Sequence, residues 1–180
     1  TSNYRVRGFA GAPDIVELAG LAKKRGLPMI DDLGSGALVP LSRWGLADEP
    51  LVADSLKAGA DAVCFSGDKL IGGPQSGIVC GQKDVIAKIR KNPFARMFRV
   101  CKLTLAALET TLTHFLDDAY RTAIPFYRML SRDAAELDAQ AQALAEGLRD
   151  VPARVEIRDD FAYVGSGSLP DEGIPSKVVA

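Results

Sequence analysis

A lysine and an aspartate in this sequence have the residue types and positions that could perform chemistry together. Lys69 stands in a glycine-rich segment that follows one short apolar run, and Asp31 comes directly after another. Pyridoxal 5'-phosphate requires a lysine that forms its Schiff base and a carboxylate that keeps its pyridine nitrogen protonated. Lys69 and Asp31 have the side chains for these two tasks, so the pair indicates a pyridoxal-phosphate site.

Residues near the pair could complete such a site. Ser66 lies three residues before Lys69 and could donate a hydrogen bond to the cofactor phosphate. Gly34 and Ser35 follow Asp31 in a glycine-rich stretch that lets the backbone approach a ligand closely. The sequence therefore predicts Ser66, Gly34 and Ser35 as cofactor-binding residues.

The same segments also have simpler interpretations. A lysine after a strand is usually a solvated surface residue, and an aspartate pair before a glycine is often a turn or a helix cap. A lysine flanked by glycines could also bind a nucleotide phosphate, although neither G-x-x-x-x-G-K-[ST] nor G-x-G-x-x-G is present. Spacing by itself therefore leaves the cofactor site as one interpretation among several.

The periodicity on either side of these residues is typical of an α/β protein. Helices are predicted over residues 13–25, 49–59, 83–91, 103–115 and 131–148, and short apolar strands over residues 27–30, 62–65 and 77–81. Helices that alternate with strands at this spacing form a mainly parallel sheet covered by helices. Because ligands of such sheets bind beyond the carboxyl ends of the strands, we expect Asp31 and Lys69, each in a loop that leaves a strand, to lie in one cleft.

The pattern changes near the carboxyl end of the sequence. Apolar and charged residues alternate over residues 153–158, which is typical of a half-exposed antiparallel strand. We therefore predict a large α/β domain over residues 1–127 and the beginning of a small α+β domain over residues 128–180. The chain starts without methionine and the small domain looks unfinished, so we expect a piece of a longer protein.

The composition excludes several functional classes. The 180 residues are 47% hydrophobic, as in a protein with a packed core, and their net charge of −1 gives no general sign of nucleic-acid or membrane binding. No apolar run approaches the roughly 20 residues that span a bilayer, and no secretory signal opens the sequence, so we expect a cytoplasmic protein without a membrane partner. One histidine and three cysteines without zinc spacing predict no metal site.

Six segments, in order along the chain, resemble one known family, the bacterial selenocysteine synthases or L-seryl-tRNA(Sec) selenium transferases. The segments are residues 2–5, 30–36, 65–70, 72–75, 102–109 and 163–170. They extend over essentially the whole chain, and the most specific is Ser-Gly-Asp-Lys followed by Gly-Gly-Pro-Gln. The resemblance implies a fold-type-I pyridoxal-phosphate-dependent transferase, with a partial large domain followed by a truncated small α+β domain.

The resemblance also implies roles for individual residues. Lys69 matches the lysine that forms the Schiff base, and Asp31 matches the position whose carboxylate faces the pyridine nitrogen. Asp68, which belongs to the same motif as the lysine, is the second residue that we assign to catalysis. Arg96 and Arg99 match arginines suited to the anionic selenium donor, selenophosphate.

The two arginines have a second interpretation. Their three-residue spacing would place both guanidinium groups on one side of a helical turn, where they could fork a phosphate-like anion. However, Arg96 and Arg99 belong to a basic run over residues 83–102 whose only acid is Asp84. Such a run is usually a solvated helix face, and it could also attract tRNA phosphates over a distance.

The resemblance implies conversion of seryl-tRNA(Sec) to selenocysteyl-tRNA(Sec) through an aminoacrylyl-tRNA intermediate, with selenophosphate as the selenium donor. The partners would be tRNA(Sec) charged with serine and further copies of the protein, in a homo-oligomer built as a ring of dimers. Two alternatives stay open. The first is another fold-type-I enzyme, such as a β-eliminating lyase that acts on a free amino acid or amino sugar. The second is an inactive binding fragment in which Lys69 only contacts a phosphate.

Overall fold

Helices alternate with strands along the first half of the chain, and a β-hairpin follows a long helix towards its carboxyl end. The computed structural model describes residues 11, 13–47, 49–165, 169 and 172–180. The helices are α1 (Ile15–Lys24), α2 (Val52–Ala58), α3 (Lys83–Lys91), α4 (Pro93–Met97), α5 (Lys102–Leu116), α6 (Tyr120–Ala123), α7 (Pro125–Leu130) and α8 (Ala134–Gly147). A short 3₁₀ helix spans Leu41–Trp44. The strands are β1 (Ile30–Gly34), β2 (Ala62–Ser66), β3 (Gly77–Gly81), β4 (Ile157–Tyr163) and β5 (Gly173–Val179).

The first three strands form one mixed sheet in the order β1-β2-β3. β1 pairs with β2 in parallel, with Asp31 opposite Val63, and β2 pairs with β3 in antiparallel, with Phe65 opposite Ile78. The α/β class is confirmed, but the antiparallel β3 differs from the mainly parallel sheet that the sequence predicted. The connection over residues 67–76 is too short for the crossover that a parallel pair requires, so the chain must return in the opposite direction.

Strand β1 begins later than the sequence predicted. The prediction placed the strand at residues 27–30 and Asp31 in the following loop, whereas β1 begins at Ile30 and contains Asp31. The carboxylate of Asp61 accepts a hydrogen bond from the backbone amide of Met29 at 2.8 Å. The Met29 carbonyl accepts hydrogen bonds from the amides of Asp61 and Ala62 at 2.9 and 3.2 Å, and Ile30 is the first residue paired in register with β2. Ile30 is 59% exposed, and β1 is an edge strand of the described sheet.

Local capping signals place several element ends at or near the predicted positions. α3 and β3 have the predicted bounds. Asp14 caps α1 by accepting a hydrogen bond from the Val16 amide at 2.9 Å. Asp133 and Glu136 form a capping box, in which each side chain accepts a hydrogen bond from the backbone amide of the other. This capping box starts α8 three residues later than the periodicity predicted.

The sequence did not predict α4, α6, α7, the 3₁₀ helix or β5. Pro93 and Pro125 occupy the first positions of α4 and α7, where proline is favoured because the amide of that position has no partner within the helix. These helices have five and six residues, which is shorter than the window of about 11 residues over which helical periodicity can be recognised. None of the helices in the described part of the chain has the length and apolar content needed to cross a bilayer.

The described residues form two apolar core clusters that meet directly after Lys69. The first cluster includes Leu70 together with Leu41, Leu46, Tyr120, Ile124 and Tyr127. The second cluster includes Ile71 together with Leu33, Val52, Val63 and Phe65. Leu70 is 1% exposed and Ile71 is 0% exposed. Since burial of such a side chain contributes about 1.5–3 kcal/mol, these two residues hold the chain after Lys69 in place.

The carboxyl-terminal strands β4 and β5 form an antiparallel hairpin that packs against α8. The antiparallel pairing is as predicted, but the strand that the sequence placed at residues 153–158 lies at Ile157–Tyr163. The predicted domain boundary after residue 127 falls within α7 and stays a prediction.

Candidate functional site

Lys69 lies in the loop between β2 and β3, which is closed by its own backbone hydrogen bonds. The Gly67 amide donates to the Ser76 carbonyl at 2.9 Å, and the Gly73 amide donates to the Gly67 carbonyl at 2.9 Å. The Gly72 amide donates to the carbonyl of Lys69 itself, also at 2.9 Å. The loop therefore holds the backbone of the lysine in a defined position at the end of β2.

Two glycines make this loop possible because their neighbours leave no room for a side chain. A Cβ atom on Gly67 would lie 2.8 Å from the carbonyl oxygen of Pro74. Gly72 has a φ of +70°, and a Cβ atom there would lie 2.6 Å from Cγ2 of Ile124. Close packing and a left-handed backbone thus explain why glycine stands on both sides of the lysine.

The residue after Lys69 connects this loop to the end of β1. The Leu70 amide donates to the carbonyl of Ser35 at 3.3 Å, and Ser35 directly follows the last residue of β1. The segments that leave β1 and β2 are therefore in contact at one edge of the sheet. This contact agrees with the expectation that the carboxyl ends of two parallel strands meet there.

A cavity of about 200 Å³ lies beside the lysine. Its described lining includes Asp68, Lys69, Gly72, Gly73, Phe126 and Val164. The structure thus brings the two predicted catalytic residues to one cavity, with Lys69 half-buried and Asp68 exposed. This volume is below the roughly 300–1,000 Å³ that is usual for a ligand pocket.

Asp31 has a buried carboxylate oxygen that lacks a donor. Its Oδ2 atom is buried and accepts no hydrogen bond from any residue in the described part of the chain. A buried carboxylate oxygen without a donor is costly, because it has lost its hydration without compensation. A ligand with a cationic N–H group would supply the donor, as a protonated pyridine nitrogen does. The surroundings of Asp31 therefore fit the cofactor that the sequence predicted.

The neighbouring Asp32 has different surroundings. Its side chain is exposed and lies on the other face of β1, because successive side chains of a strand alternate. Asp32 is paired in register with Cys64. Burial is the main cause that raises the pKa of the Cys64 thiol, and the charges of Asp32, Cys80 and Asp31 raise that pKa further. Of the two adjacent aspartates, Asp31 is the one with the buried oxygen.

Asp31 and the other predicted cofactor residues, Gly34, Ser35 and Ser66, are not among the described residues of the cavity wall, so this cavity does not bring Asp31 and Lys69 together. Gly34 is the last residue of β1, with a φ of +68°, and Ser66 is the last residue of β2. Ser35 is buried, and its hydroxyl donates to Oε2 of Glu49 at 3.1 Å. This hydroxyl therefore stabilises a contact within the protein, which the sequence did not predict.

Arg96 and Arg99 lie on an exposed segment and are not among the described residues of the cavity wall. Arg96 is in α4, which ends at Met97, so Arg99 follows the helix. The prediction that one helical turn presents both guanidinium groups is therefore wrong. The helix begins after its Asn92 cap and has only five residues, so it ends before it reaches Arg99.

The sequence analysis missed two aromatic residues beside the lysine. Phe126 lines the cavity, and Tyr127 is fully buried with its hydroxyl donating to the Leu70 carbonyl at 2.7 Å. Two aromatic residues after Pro125 are a signal of burial. However, no local pattern indicates that Tyr127 contacts a residue 57 positions away.

Parts of the family motifs lie outside the described residues, namely residues 2–5, 166–168 and 170. Val164 and Gly165, from the carboxyl-terminal motif, line the lysine cavity. The motif of the predicted small domain therefore contributes directly to the site around Lys69.

Comparisons with known proteins now identify the family. The family model of L-seryl-tRNA selenium transferase matches residues 1–180, the whole chain. The chain belongs to this family. The L-seryl-tRNA(Sec) selenium transferase of Alkaliphilus metalliredigens is 46% identical over 182 residues, which cover 99% of this chain and 39% of that protein. The enzyme of the same name from Escherichia coli O45:K1 is 43% identical over 180 residues, covering 98% and 39%. The chain thus spans about two fifths of the length of these selenium transferases.

The fold of this selenium transferase family chain is similar to that of a solved structure. D-Glucosaminate-6-phosphate ammonia-lyase superposes with a TM-score of 0.50 and 21% identity, over 88% of this chain and 36% of that chain. At this identity the likeness shows the fold alone. It confirms the predicted fold-type-I architecture, of which the described α/β region is a part.

Proposed function

We propose that this chain carries the lysine, the ring-facing carboxylate and part of the cavity of a pyridoxal-phosphate-dependent selenium transferase that acts on seryl-tRNA(Sec). The relatives are named L-seryl-tRNA(Sec) selenium transferase and the chain spans 39% of their length, so the activity would belong to the whole protein. The observation that supports the cofactor most directly is the buried Asp31 oxygen without a donor in the described part of the chain.

Lys69 is the residue to which we assign covalent attachment of the cofactor and proton transfer. Its side chain stands at the cavity while its backbone is held by the closed loop between β2 and β3. When bound, pyridoxal phosphate supplies an electron-accepting ring conjugated to the amine of the substrate. We assign to the amine of Lys69 the removal of the proton from the serine Cα atom.

Two carboxylates have the remaining roles in this proposal. Asp31 orients the ring and keeps its nitrogen protonated, because its buried Oδ2 is available to accept a hydrogen bond from that N–H group. Asp68 lines the same cavity as Lys69 and is exposed. We assign to Asp68 the exchange of a proton with the hydroxyl group that leaves the serine Cβ atom. We propose that Ser66, Gly34 and Ser35 contribute to cofactor binding from the segments at the ends of β1 and β2.

Arg96 and Arg99 are the residues that we propose for binding selenophosphate. Both are exposed cations, and guanidinium groups bind phosphate-like anions through paired hydrogen bonds. Because neither lines the described cavity, we propose that they reach a reacting centre across a subunit contact, in the homo-oligomeric ring of dimers that the resemblance implies. Since tRNA(Sec) charged with serine would be the substrate, we place the protein in the cytoplasm.

Spectroscopy of the full-length protein with added pyridoxal phosphate tests the cofactor. We expect an absorbance band of lysine-bound cofactor that borohydride removes and that Lys69→Ala lacks. Lys83→Ala, which changes an exposed lysine at the start of α3, is the matched control and should keep the band. A full-length wild-type protein without the band would contradict the proposal.

Binding and turnover assays of the full-length protein distinguish tRNA from free substrates. We expect retention of seryl-tRNA(Sec) on a filter, incorporation of selenium from selenophosphate, and no turnover of free serine. If the protein instead eliminates a group from a free amino acid or amino sugar without tRNA, the lyase alternative replaces this proposal. If it binds neither cofactor nor tRNA, the alternative of an inactive binding protein replaces it.

A further inference from the structure

Leu70, which directly follows Lys69, has both of its backbone groups held by residues distant in the sequence. Its amide donates to the Ser35 carbonyl at 3.3 Å, and its carbonyl accepts a hydrogen bond from the Tyr127 hydroxyl at 2.7 Å. Leu70 is 1% exposed and Tyr127 is 0% exposed. In such a buried place, a carbonyl that loses its donor incurs the full desolvation cost of that group.

The hydroxyl of Tyr127 is a permanent donor in a defined position. Burial, and to a lesser extent the charge of Tyr120, raises the pKa of Tyr127 well above its usual range, so the hydroxyl keeps its proton. The ring is fixed by aromatic neighbours. Its centroid lies 5.4 Å from that of Trp44, 5.6 Å from that of Phe115 and 4.9 Å from that of Phe126.

Tyr127 also connects two parts of the cavity wall. Its neighbour Phe126 lines the cavity, and so do Lys69 and Leu70. A displacement of α7 would therefore move the aromatic part of the wall and, through the tyrosine hydroxyl, the backbone beside the lysine. On the β1 side, Ser35 is held in turn by the hydrogen bond from its hydroxyl to Glu49 at 3.1 Å.

We propose that Tyr127 is a positioning residue for Lys69, whose hydroxyl fixes the backbone that orients the lysine amine in the cavity. This inference rests on the proposed function, because it concerns the lysine that would hold the cofactor. Orientation is important for such a group, since a displacement of about 1 Å can lower a rate by about 10²-fold. The hydroxyl acts through Leu70, so Tyr127 need not touch the cofactor or the substrate.

Tyr120 provides a matched control within the same aromatic cluster. It is 1% exposed, and its ring centroid lies 5.0 Å from that of Tyr127. Its hydroxyl accepts a hydrogen bond from Nη1 of Arg43 at 3.2 Å, and Arg43 is not among the described residues of the cavity wall. Tyr120→Phe therefore removes a hydroxyl from the same core while the donor to Leu70 stays in place.

Hydrogen exchange of the full-length protein without cofactor tests the contact independently of the proposed function. We expect the amides of residues 69–73 to exchange at least about tenfold faster in Tyr127→Phe than in Tyr120→Phe. Equal exchange in the two variants would overturn the inference, whether or not the protein binds pyridoxal phosphate. If Tyr127→Phe does not fold, a fluorinated tyrosine at this position keeps the ring and strengthens the donor. Exchange should then be slower than in the wild type, and unchanged exchange would overturn the inference.

Spectroscopy with pyridoxal phosphate distinguishes positioning from general stability. In Tyr127→Phe we expect attachment of the cofactor to slow about tenfold, and the pH midpoint of the lysine-bound absorbance to shift by at least about 0.5. Tyr120→Phe should keep the wild-type values. Wild-type values in Tyr127→Phe would overturn the inference. A wild-type protein without the absorbance band would contradict the proposed function instead, and the exchange comparison would then decide on the contact.

Discussion

The loop of Lys69 and the segment of Arg96 and Arg99 differ in burial and in backbone hydrogen bonding. The lysine loop is closed by backbone hydrogen bonds, and the two residues after the lysine are buried in two core clusters. The arginine segment instead exposes both its charged and its apolar side chains, and Phe98 is 78% exposed. Both segments nevertheless contain residues that we propose to be functional.

The difference fits the different requirements of a covalent cofactor site and an anion-binding site. Covalent attachment of a cofactor needs one fixed geometry, which buried neighbours and short loops provide. An anion that is bound by long, flexible side chains can also contact residues of a neighbouring subunit. Phe94, Met97 and Phe98 beside the arginines are also exposed in this chain. This arrangement agrees with the subunit contact that we propose for Arg96 and Arg99.

The largest expected effect distinguishes the two adjacent carboxylates of the lysine site. Asp31→Asn in the full-length protein should lower selenium transfer by about 10²–10⁴-fold, because the ring nitrogen loses its acidic partner. Asp32→Asn, which changes an exposed neighbour, is the matched control and should lower it by less than about tenfold. Urea denaturation should show no loss of stability in Asp31→Asn, since the variant removes a buried oxygen without a donor in the described part of the chain. A larger activity loss in Asp32→Asn would transfer the assignment to Asp32.

The next largest effect concerns the packing of the lysine loop. Gly72→Ala should lower the free energy of unfolding by about 1–3 kcal/mol, because the residue has a left-handed backbone and its Cβ would contact Ile124. Gly77→Ala is the control, since a Cβ atom there has nothing within 4 Å, and should change stability by less than about 0.5 kcal/mol. Equal values in the two variants would show that the loop is not packed against Ile124.

Substitutions in the arginine segment should leave stability unchanged and affect binding. Arg96→Ala and Arg99→Ala should each change the free energy of unfolding by less than about 0.5 kcal/mol, because both side chains are exposed. Each should weaken selenophosphate binding about tenfold, as expected for the loss of a charged hydrogen-bond donor. Titration calorimetry of the full-length protein measures this, with Lys88→Ala on α3 as the control for a general loss of positive charge. Loss of cofactor absorbance in either arginine variant would contradict the contrast between the two regions.

The smallest effect is a difference in thiol reactivity between the two regions. Hydrogen bonding to Thr104 lowers the pKa of the exposed Cys101 thiol, whereas burial raises the pKa of Cys64 and Cys80 in the sheet. A lower pKa gives more of the reactive thiolate at neutral pH. Iodoacetamide at neutral pH should therefore label Cys101 first, and labelling of the two sheet cysteines should require higher pH. Mass spectrometry measures the order, and faster labelling of Cys64 or Cys80 would show that the sheet opens readily.

Much of the fold and part of the site could be predicted because their signals are local. The bounds of α3 and β3 follow from periodicity and flanking residues, and the position of Lys69 after β2 follows from the apolar run and the glycines around it. The antiparallel direction of β3 could also have been predicted, because residues 67–76 are too few for a parallel crossover. Short helices such as α4 and α7 could not be predicted from hydrophobic periodicity, because they contain fewer than two full turns.

By itself the sequence determined the family, the α/β class and the lysine at the end of β2, because motifs, periodicity and turn residues act over a few neighbouring positions. Only the tertiary structure decided that Asp31 lies within β1 with a buried oxygen, that Ser35 bonds Glu49, and that Tyr127 holds Leu70. These contacts join residues far apart in the chain, and their geometry is set by how the sheet, the lysine loop and α7 pack together.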